Sequence, residues 1–370
     1  MKKSLVAVAL LGAFAASAFA APSVTLYGRI DTGLAYTHQD LDKAGVDSTD
    51  TLEMTTGWST GSRWGLKGTE DIGNAKVGFV LESGFNSDDG KSGQDGRLFG
   101  REAQVNVSGA YGTLYAGRLA TIVSDAGSLG LLGNVSAFPN GYGIVGTMKG
   151  STGSGYDRYD NTIAYKTPTM AGFTVSAMYS FKGDDVVKDK DGVENKASAT
   201  RYAAAGLQYK GGKFTGVLAG DYTMWGNAYY DKDLDDGYTI VLGGNYDFGV
   251  AQVFAKATYF DNAANALDSF KVISDNGVTA VKGWGLEVST KVPAFGGSFL
   301  ATVGYRDAKN VDDTDVKFHR WNAAVGYSYP FSKRTNVYAA AGYAQEKAKG
   351  GQDSRTPNTA QVGLGLVHKF

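Results

Sequence analysis

The chain has 370 residues, of which 43% are hydrophobic, 12% aromatic and 20% charged, with 52 glycines, 22 tyrosines, 6 prolines and no cysteine. The lack of cysteine excludes a disulfide scaffold, a thiolate metal site and a cysteine nucleophile, and a formal charge of −1 offers nothing to nucleic acid. The aromatic content argues against a disordered chain, while a mean hydropathy of −0.21, with no long apolar run beyond the N-terminus, excludes a helical membrane protein.

Residues 1–20 read as a secretory signal peptide. Lys2 and Lys3 form the basic region, Leu5 to Ala16 the apolar region, and Ala18-Phe19-Ala20 a small-x-small cleavage site. A membrane anchor needs about 20 apolar residues, and this run is shorter. Cleavage removes two lysines and no acid, so the mature chain, 21–370, carries −3. An exported chain without cysteine needs some other framework, and a large closed sheet supplies one.

Strict alternation then sets in. From Ser23, residues Val24, Leu26, Ile30, Leu34 and Tyr36 fall on one face, and Thr25, Arg29, Asp31 and Thr37 on the other. That is a period of two, hence a strand with one apolar side. The pattern recurs at 75–85 (Val77, Phe79, Leu81 against Lys76, Glu82), at 172–182, at 238–248, at 282–292, at 299–305, at 321–329, and in the terminal run Val362, Leu364, Leu366, His368, Phe370. Short connections at 70–74, 109–112, 167–172, 210–213, 247–249, 292–297 and 329–334 alternate with long polar ones at 39–53, 87–96, 119–156, 183–198, 226–237, 262–280, 308–317 and 347–357. Seven short turns and eight long loops join sixteen antiparallel strands, the form of a transmembrane β-barrel.

The prolines test this independently. Pro22, Pro139, Pro168, Pro293, Pro330 and Pro357 all fall in turns, loops or strand ends, where a missing N–H is tolerated. In hydrocarbon every backbone group must be paired within the protein, so a spanning sheet closes and turns its apolar face to lipid. Sixteen strands leave an aqueous lumen. Tyr27, Tyr165, Tyr179, Phe181, Tyr246, Phe248, Tyr327, Tyr329 and Phe370 at strand ends are expected to form the interfacial girdles.

Several stretches carry a family resemblance: Val24-Thr25-Leu26-Tyr27-Gly28-Arg29-Ile30-Asp31, Ser62-Arg63-Trp64-Gly65-Leu66-Lys67-Gly68-Thr69-Glu70-Asp71-Ile72-Gly73, Leu81-Glu82-Ser83-Gly84-Phe85, Phe99-Gly100-Arg101-Glu102-Ala103, Gly112-Thr113-Leu114-Tyr115-Ala116-Gly117-Arg118, Asn161-Thr162-Ile163-Ala164-Tyr165, Tyr246-Asp247-Phe248-Gly249, Ser332-Lys333-Arg334-Thr335 and the terminal Phe370. Over the whole mature chain the sequence resembles the general trimeric porins of Gram-negative bacteria, of the betaproteobacterial type. The resemblance implies an integral outer-membrane homotrimer of sixteen-stranded barrels whose third loop, 119–156, folds into the lumen as a constriction. It implies a basic cluster at Arg63, Arg101 and Arg158, and a Phe370 read by the barrel assembly machinery. The chain departs from the pattern in that loop, where Phe138-Pro139-Asn140-Gly141 stands without the usual glutamate.

A pore works by size and field, so the informative residues are lumen charges. With Trp64 and Leu66 facing lipid, Arg63 and Lys67 face inward, and Arg29 does so by the same count. Ile163 and Tyr165 facing lipid place Arg158 inward. Arg101 shares the parity of Val105 and Val107, which puts it toward lipid at a cost of about 2 to 4 kcal/mol unless a bulge rephases the strand or a trimer contact covers it. Glu82 and Asp31 are inward counterweights. Loop 119–156 offers Asp125 as its one acid, and glycines that permit close packing. It is expected to narrow the pore by backbone and by Leu131, Phe138 and Tyr142, leaving the arginines incompletely compensated and the pore mildly anion-selective.

Enzymatic readings find no footing, since His38, His319 and His368 sit on separate elements and form neither a metal cluster nor a triad. No cofactor or metal is expected. Asp231 to Gly237 imitates a calcium loop, but its glycine is at position seven and Leu242 stands at position twelve; it reads as a solvated loop facing lipopolysaccharide. The reading is a passive channel for ions and small hydrophilic solutes. The rivals are a porin selective for organic anions or sugars, and a barrel acting mainly as an adhesin.

Overall fold

The computed structural model describes residues 23–138, 158–183, 192–230 and 234–370. The leader, Tyr142 and part of the acidic run at 231–233 lie outside the described residues. Before the longest loop come β1 (Ser23–Asp40), β2 (Thr49–Thr56), β3 (Arg63–Asp71), β4 (Lys76–Gly84), β5 (Glu102–Gly109) and β6 (Gly112–Ala120). After it come β7 (Arg158–Lys166), β8 (Phe173–Ser180), β9 (Arg201–Gly211), β10 (Phe214–Met224), β11 (Gly237–Asp247) and β12 (Gln252–Ala263). The set ends with β13 (Val281–Ala294), β14 (Gly297–Asn310), β15 (Lys317–Pro330), β16 (Thr335–Lys349) and β17 (Asn358–Lys369).

All seventeen segments form one antiparallel sheet in which sequence neighbours pair, β2 with β3 excepted, and β17 returns to pair with β1. β2 and β3 both pair with β1, end to end along it, so together they make one barrel strand and the barrel has sixteen. The alternating pattern predicted that number. It did not predict the break, six residues from 57 to 62 that leave the sheet at mid-strand. Closure is finished by Phe370, whose backbone exchanges two hydrogen bonds of 3.1 Å with Gly28. The Phe370 ring lies over the Gly28 α-carbon, where any side chain would collide with it.

Alternation decides what each face buries. Val24, Leu26, Ile30, Leu34 and Tyr36 are exposed on the outside of β1, whereas Asp31 is fully buried inside. Lys256 and Glu287 are buried between exposed neighbours in the same way. Among the described residues no helix is long and apolar enough to cross a membrane; strands make the crossing. Outward aromatics pair off in two belts. Tyr238–Tyr259, Trp284–Tyr305 and Trp321–Tyr343 stand near the long-loop end. Phe173–Tyr209, Tyr246–Phe248, Phe299–Tyr327 and Tyr329–Phe331 stand near the short-turn end. Trp321 and Tyr329 are eight residues apart on β15, or about 27 Å along a strand and roughly 20 Å in height at a tilt near 40°, close to the apolar band of such barrels. Tyr27 is a correction to the expected girdle. It shares the parity of Arg29 and points inward, where its hydroxyl donates to Glu82 Oε2 at 3.0 Å.

Candidate functional site

Arg29 and Arg63 are directly opposite one another in the β1–β3 register. Like charges so placed repel, and the fold offsets this with shared acceptors. Arg29 Nη1 donates to Thr60 Oγ1 at 3.2 Å, Arg63 Nη2 to the same oxygen at 3.1 Å, and Arg63 Nε to the Gly61 carbonyl at 3.0 Å. Arg63 Nη1 stands 3.7 Å from Glu82 Oε1. Arg101 closes on that same carboxylate oxygen through Nε at 2.6 Å. The Arg158 Nε donates to the Arg101 carbonyl at 2.9 Å. Glu82 is therefore the acid shared by Arg63 and Arg101 and within electrostatic reach of Arg29, and Arg158 joins the cluster through Arg101.

The conflict over Arg101 resolves in favour of this cluster. The β5 ladder starts at Glu102, opposite Glu82, so Arg101 precedes the strand and its parity does not bind it. Neither a lipid-facing charge nor a bulge is needed. Arg158 joins the cluster through the Arg101 carbonyl, and its parity does not decide this. β7 carries a register shift against β6, with Asn161 at a positive φ of 49°, and the shift breaks the count back from Ile163. Tyr159 is consequently buried and stacks on Tyr202 at 4.2 Å. Arg118 belongs elsewhere, pairing with Asp160 at 2.7 Å beside Arg97.

Lys67 is inward as expected, but its contact is the Tyr27 ring, 5.2 Å from Nζ. It is four residues nearer the short-turn end than Arg63 and touches no arginine of the cluster. Asp125 lies within electrostatic reach of Lys256 on β12. Glu102, on β5, accepts from the Ser128 amide at 2.8 Å and its hydroxyl at 3.0 Å and so fixes the beginning of the loop.

The described part of loop 119–156 is seated on the barrel wall. Ile122 and Leu131 occupy the place of a side chain at Gly206, and Val135 that at Gly243. Asn245 Nδ2 donates to the Asn134 carbonyl at 2.7 Å, Ser136 Oγ to Glu287, and the Ala137 amide to Ser289 Oγ at 2.8 Å. Leu131 and Phe138 are buried at 7% and 0% exposure. They therefore anchor the segment, which corrects the expectation that their side chains line the aperture.

Two further charge groups escaped sequence reading. Lys256 and Glu287 are cross-strand partners with Nζ–Oε2 at 3.0 Å, and Arg306, Arg320 and Glu346 form a ladder across β14, β15 and β16. All five side chains are at 0% exposure. Arg320 also lies over the Phe270 ring of loop 264–280, 5.3 Å away. Inward parity marks every one of these residues in the sequence, so the signal was present. What it lacked was the register that makes them partners. The histidines have separate partners: His38 with Asp50, His319 with Asp307, His368 with Thr335. Among the described residues no cluster of metal-ligating side chains occurs.

With this geometry in place, comparison with known proteins is specific. A model of the Gram-negative porin family matches residues 7–349. An outer membrane porin protein of Bordetella pertussis is 35% identical over the whole of both chains. Outer membrane porin protein 32 of Delftia acidovorans is 33% identical, over 94% of this chain and 90% of that one. Among solved structures, the anion-selective porin from Comamonas acidovorans superposes with a TM-score of 0.67 at 28% identity, covering 94% of this chain and 100% of that one.

Proposed function

The chain belongs to the Gram-negative porin family, as an integral outer-membrane barrel with a water-filled channel, and we propose that its arginine wall makes that channel prefer small anions. The observation that carries the preference is an imbalance of accessible charge. Arg63 and Arg101 contact Glu82, with Arg29 and Arg158 beside them, whereas the charges of the opposite wall, Lys256 with Glu287 and two arginines with Glu346, are fully buried. A narrow aqueous path between low-dielectric walls focuses such a field. The similarity to an anion-selective porin points the same way.

The segment 119–138, seated across β9, β11 and β13, serves in this reading as the inner rim of the path, and the arginines face it from β1, β3 and β7. Selection then works by charge and width with no covalent step. The functional unit is a homotrimer, folded by the barrel assembly machinery, with loops toward lipopolysaccharide and small hydrophilic solutes and ions as its cargo. Reconstitution in a planar bilayer tests the reading. Conductance in steps of three and a reversal potential of anion-preferring sign in a potassium chloride gradient are expected. A cation-preferring sign would overturn the anion reading, and an absence of steps would overturn the channel.

A further inference from the structure

The interruption at 57–62 removes six residues from the sheet at mid-barrel, and their backbone groups must find partners elsewhere. Three of their amides find them on one residue, Asp31, while the Ser62 carbonyl accepts from the Phe85 amide. The Gly57 amide donates to the Asp31 carbonyl at 3.0 Å, and the Ser59 and Thr60 amides to Asp31 Oδ2 at 2.9 and 2.7 Å. Ser62 Oγ donates to the Asp31 carbonyl at 3.1 Å and accepts from its amide at 3.0 Å. The other carboxylate oxygen, Oδ1, accepts from the Tyr338 hydroxyl at 2.7 Å. The Tyr338 ring stacks on Trp58 at 6.2 Å, and Trp58 fills the space over Gly363. Asp31 is fully buried. Asp31 lies within electrostatic reach of Arg29, yet its carboxylate commits its acceptors to two amides and a phenol.

What the held segment presents is the acceptor pair for the arginines. Thr60 Oγ1 takes Arg29 and Arg63, and the Gly61 carbonyl takes Arg63 Nε. These bonds keep Arg63 Nη1 at 3.7 Å from Glu82, outside hydrogen-bonding distance. Without them the nearest partner of Arg63 is the Glu82 carboxylate, and closing that pair would withdraw a positive charge from the path.

We propose that Asp31, locked by Tyr338, is a positioning residue for ion selection: it holds segment 57–62 so that Thr60 and Gly61 keep Arg29 and Arg63 open to passing anions. The inference deepens the anion-preferring reading and rests on it.

The test is the reversal potential of the full-length folded barrel in a potassium chloride gradient, with recovery of the heat-modifiable band as the check on folding. Thr60→Val changes no charge and should lower the anion-to-cation permeability ratio by at least about twofold at low salt, where screening is weakest. Asp31→Ala and Asp31→Asn remove the same charge. Asparagine can keep its carbonyl oxygen on the Ser59 and Thr60 amides while its amide donates to the Tyr338 oxygen. The latch predicts that Asp31→Ala lowers the ratio and Asp31→Asn does not. A plain lumen carboxylate predicts equal rises in both. Equal rises, or a Thr60→Val ratio equal to wild type, overturn the latch. If Asp31→Ala fails to fold, Thr60→Val and Asp31→Asn still decide. A wild-type barrel without anion preference overturns the underlying reading before any variant is compared.

Discussion

Replacing Glu82 by glutamine probes the field of the arginine wall, because glutamine keeps an oxygen for Arg101 Nε and loses the charge, with its amide nitrogen now meeting the Tyr27 hydroxyl as a donor. The carboxylate lies 2.6 Å from Arg101 and 3.7 Å from Arg63, with its side chain 11% exposed. A passing monovalent ion about 5 Å away interacts with it by roughly 0.8 kcal/mol in water. At 0.15 M salt, with a Debye length of about 8 Å, about half of that survives. Removing it raises anion occupancy about twofold and lowers cation occupancy about twofold, so the permeability ratio should rise about fourfold. At 1 M salt, with a screening length near 3 Å, the rise should fall below about twofold. Breaking a fully buried pair costs about 3 to 5 kcal/mol. Here each side chain keeps about a tenth of its exposure and the hydrogen bond survives, so the lower end or less is expected. A salt series of reversal potentials, with thermal unfolding of the detergent-folded barrel, measures both effects. A ratio that falls, or a rise independent of salt, would refute the assignment of Glu82 as the shared counter-charge.

Neutralising Arg63 and Arg158 together by glutamine should move the reversal potential toward cation preference, most at low salt; an equal shift from the exposed loop lysines Lys196 and Lys333 would show that the cluster has no special place. Deleting Phe370 removes the ring over Gly28 and the last bonds of the β1–β17 seam, so the yield of folded barrel should drop while export across the inner membrane is unchanged; equal recovery of heat-modifiable barrel would contradict this. Lys256→Met leaves Glu287 buried without its cation, which should cost about 3 kcal/mol or more of stability and leave selectivity where it was, since neither group meets the water path. A clear selectivity shift in that variant would place the pair on the conducting surface.

The barrel was legible because one physical requirement repeats on every strand. Lipid outside and water inside force a period of two, and Val24, Leu26, Ile30 or Phe299, Val303, Tyr305 record it directly. Turns were legible for a related reason: short turns and long loops differ in length and polarity at opposite ends of the sheet. The period fails where the chain leaves the ladder. Tyr27 was assigned to the girdle from its place near a strand end, although its own parity pointed inward to Glu82. At Arg158 a register shift beside Asn161 breaks the count, and its bond to the Arg101 carbonyl, which no period encodes, is what places it in the cluster. The excursion at 57–62 carries a local signal, glycines at 57 and 61 around Trp58, but its meaning depends on Asp31 and Tyr338, which are 307 positions apart in the chain. No local pattern encodes a contact at that separation.

The lumen therefore has two walls treated in opposite ways. On β12 to β16, Lys256 with Glu287, and Arg306 and Arg320 with Glu346, are cross-strand partners covered by buried side chains, including Phe270 of loop 264–280. Charges buried and paired at 0% exposure act on their own partners and contribute little to an ion in water. On β1, β3, β7 and the approach to β5, four arginines cluster, two of them on Glu82, and Thr60 accepts from two of them. Net charge does not forecast this, because the chain as a whole is slightly acidic. Selectivity follows from which charges the fold leaves in contact with water. Here Asp31, Glu102, Glu287 and Glu346 are spent on backbone amides, hydroxyls and buried partners, and the arginines that remain beside the path carry the proposed preference.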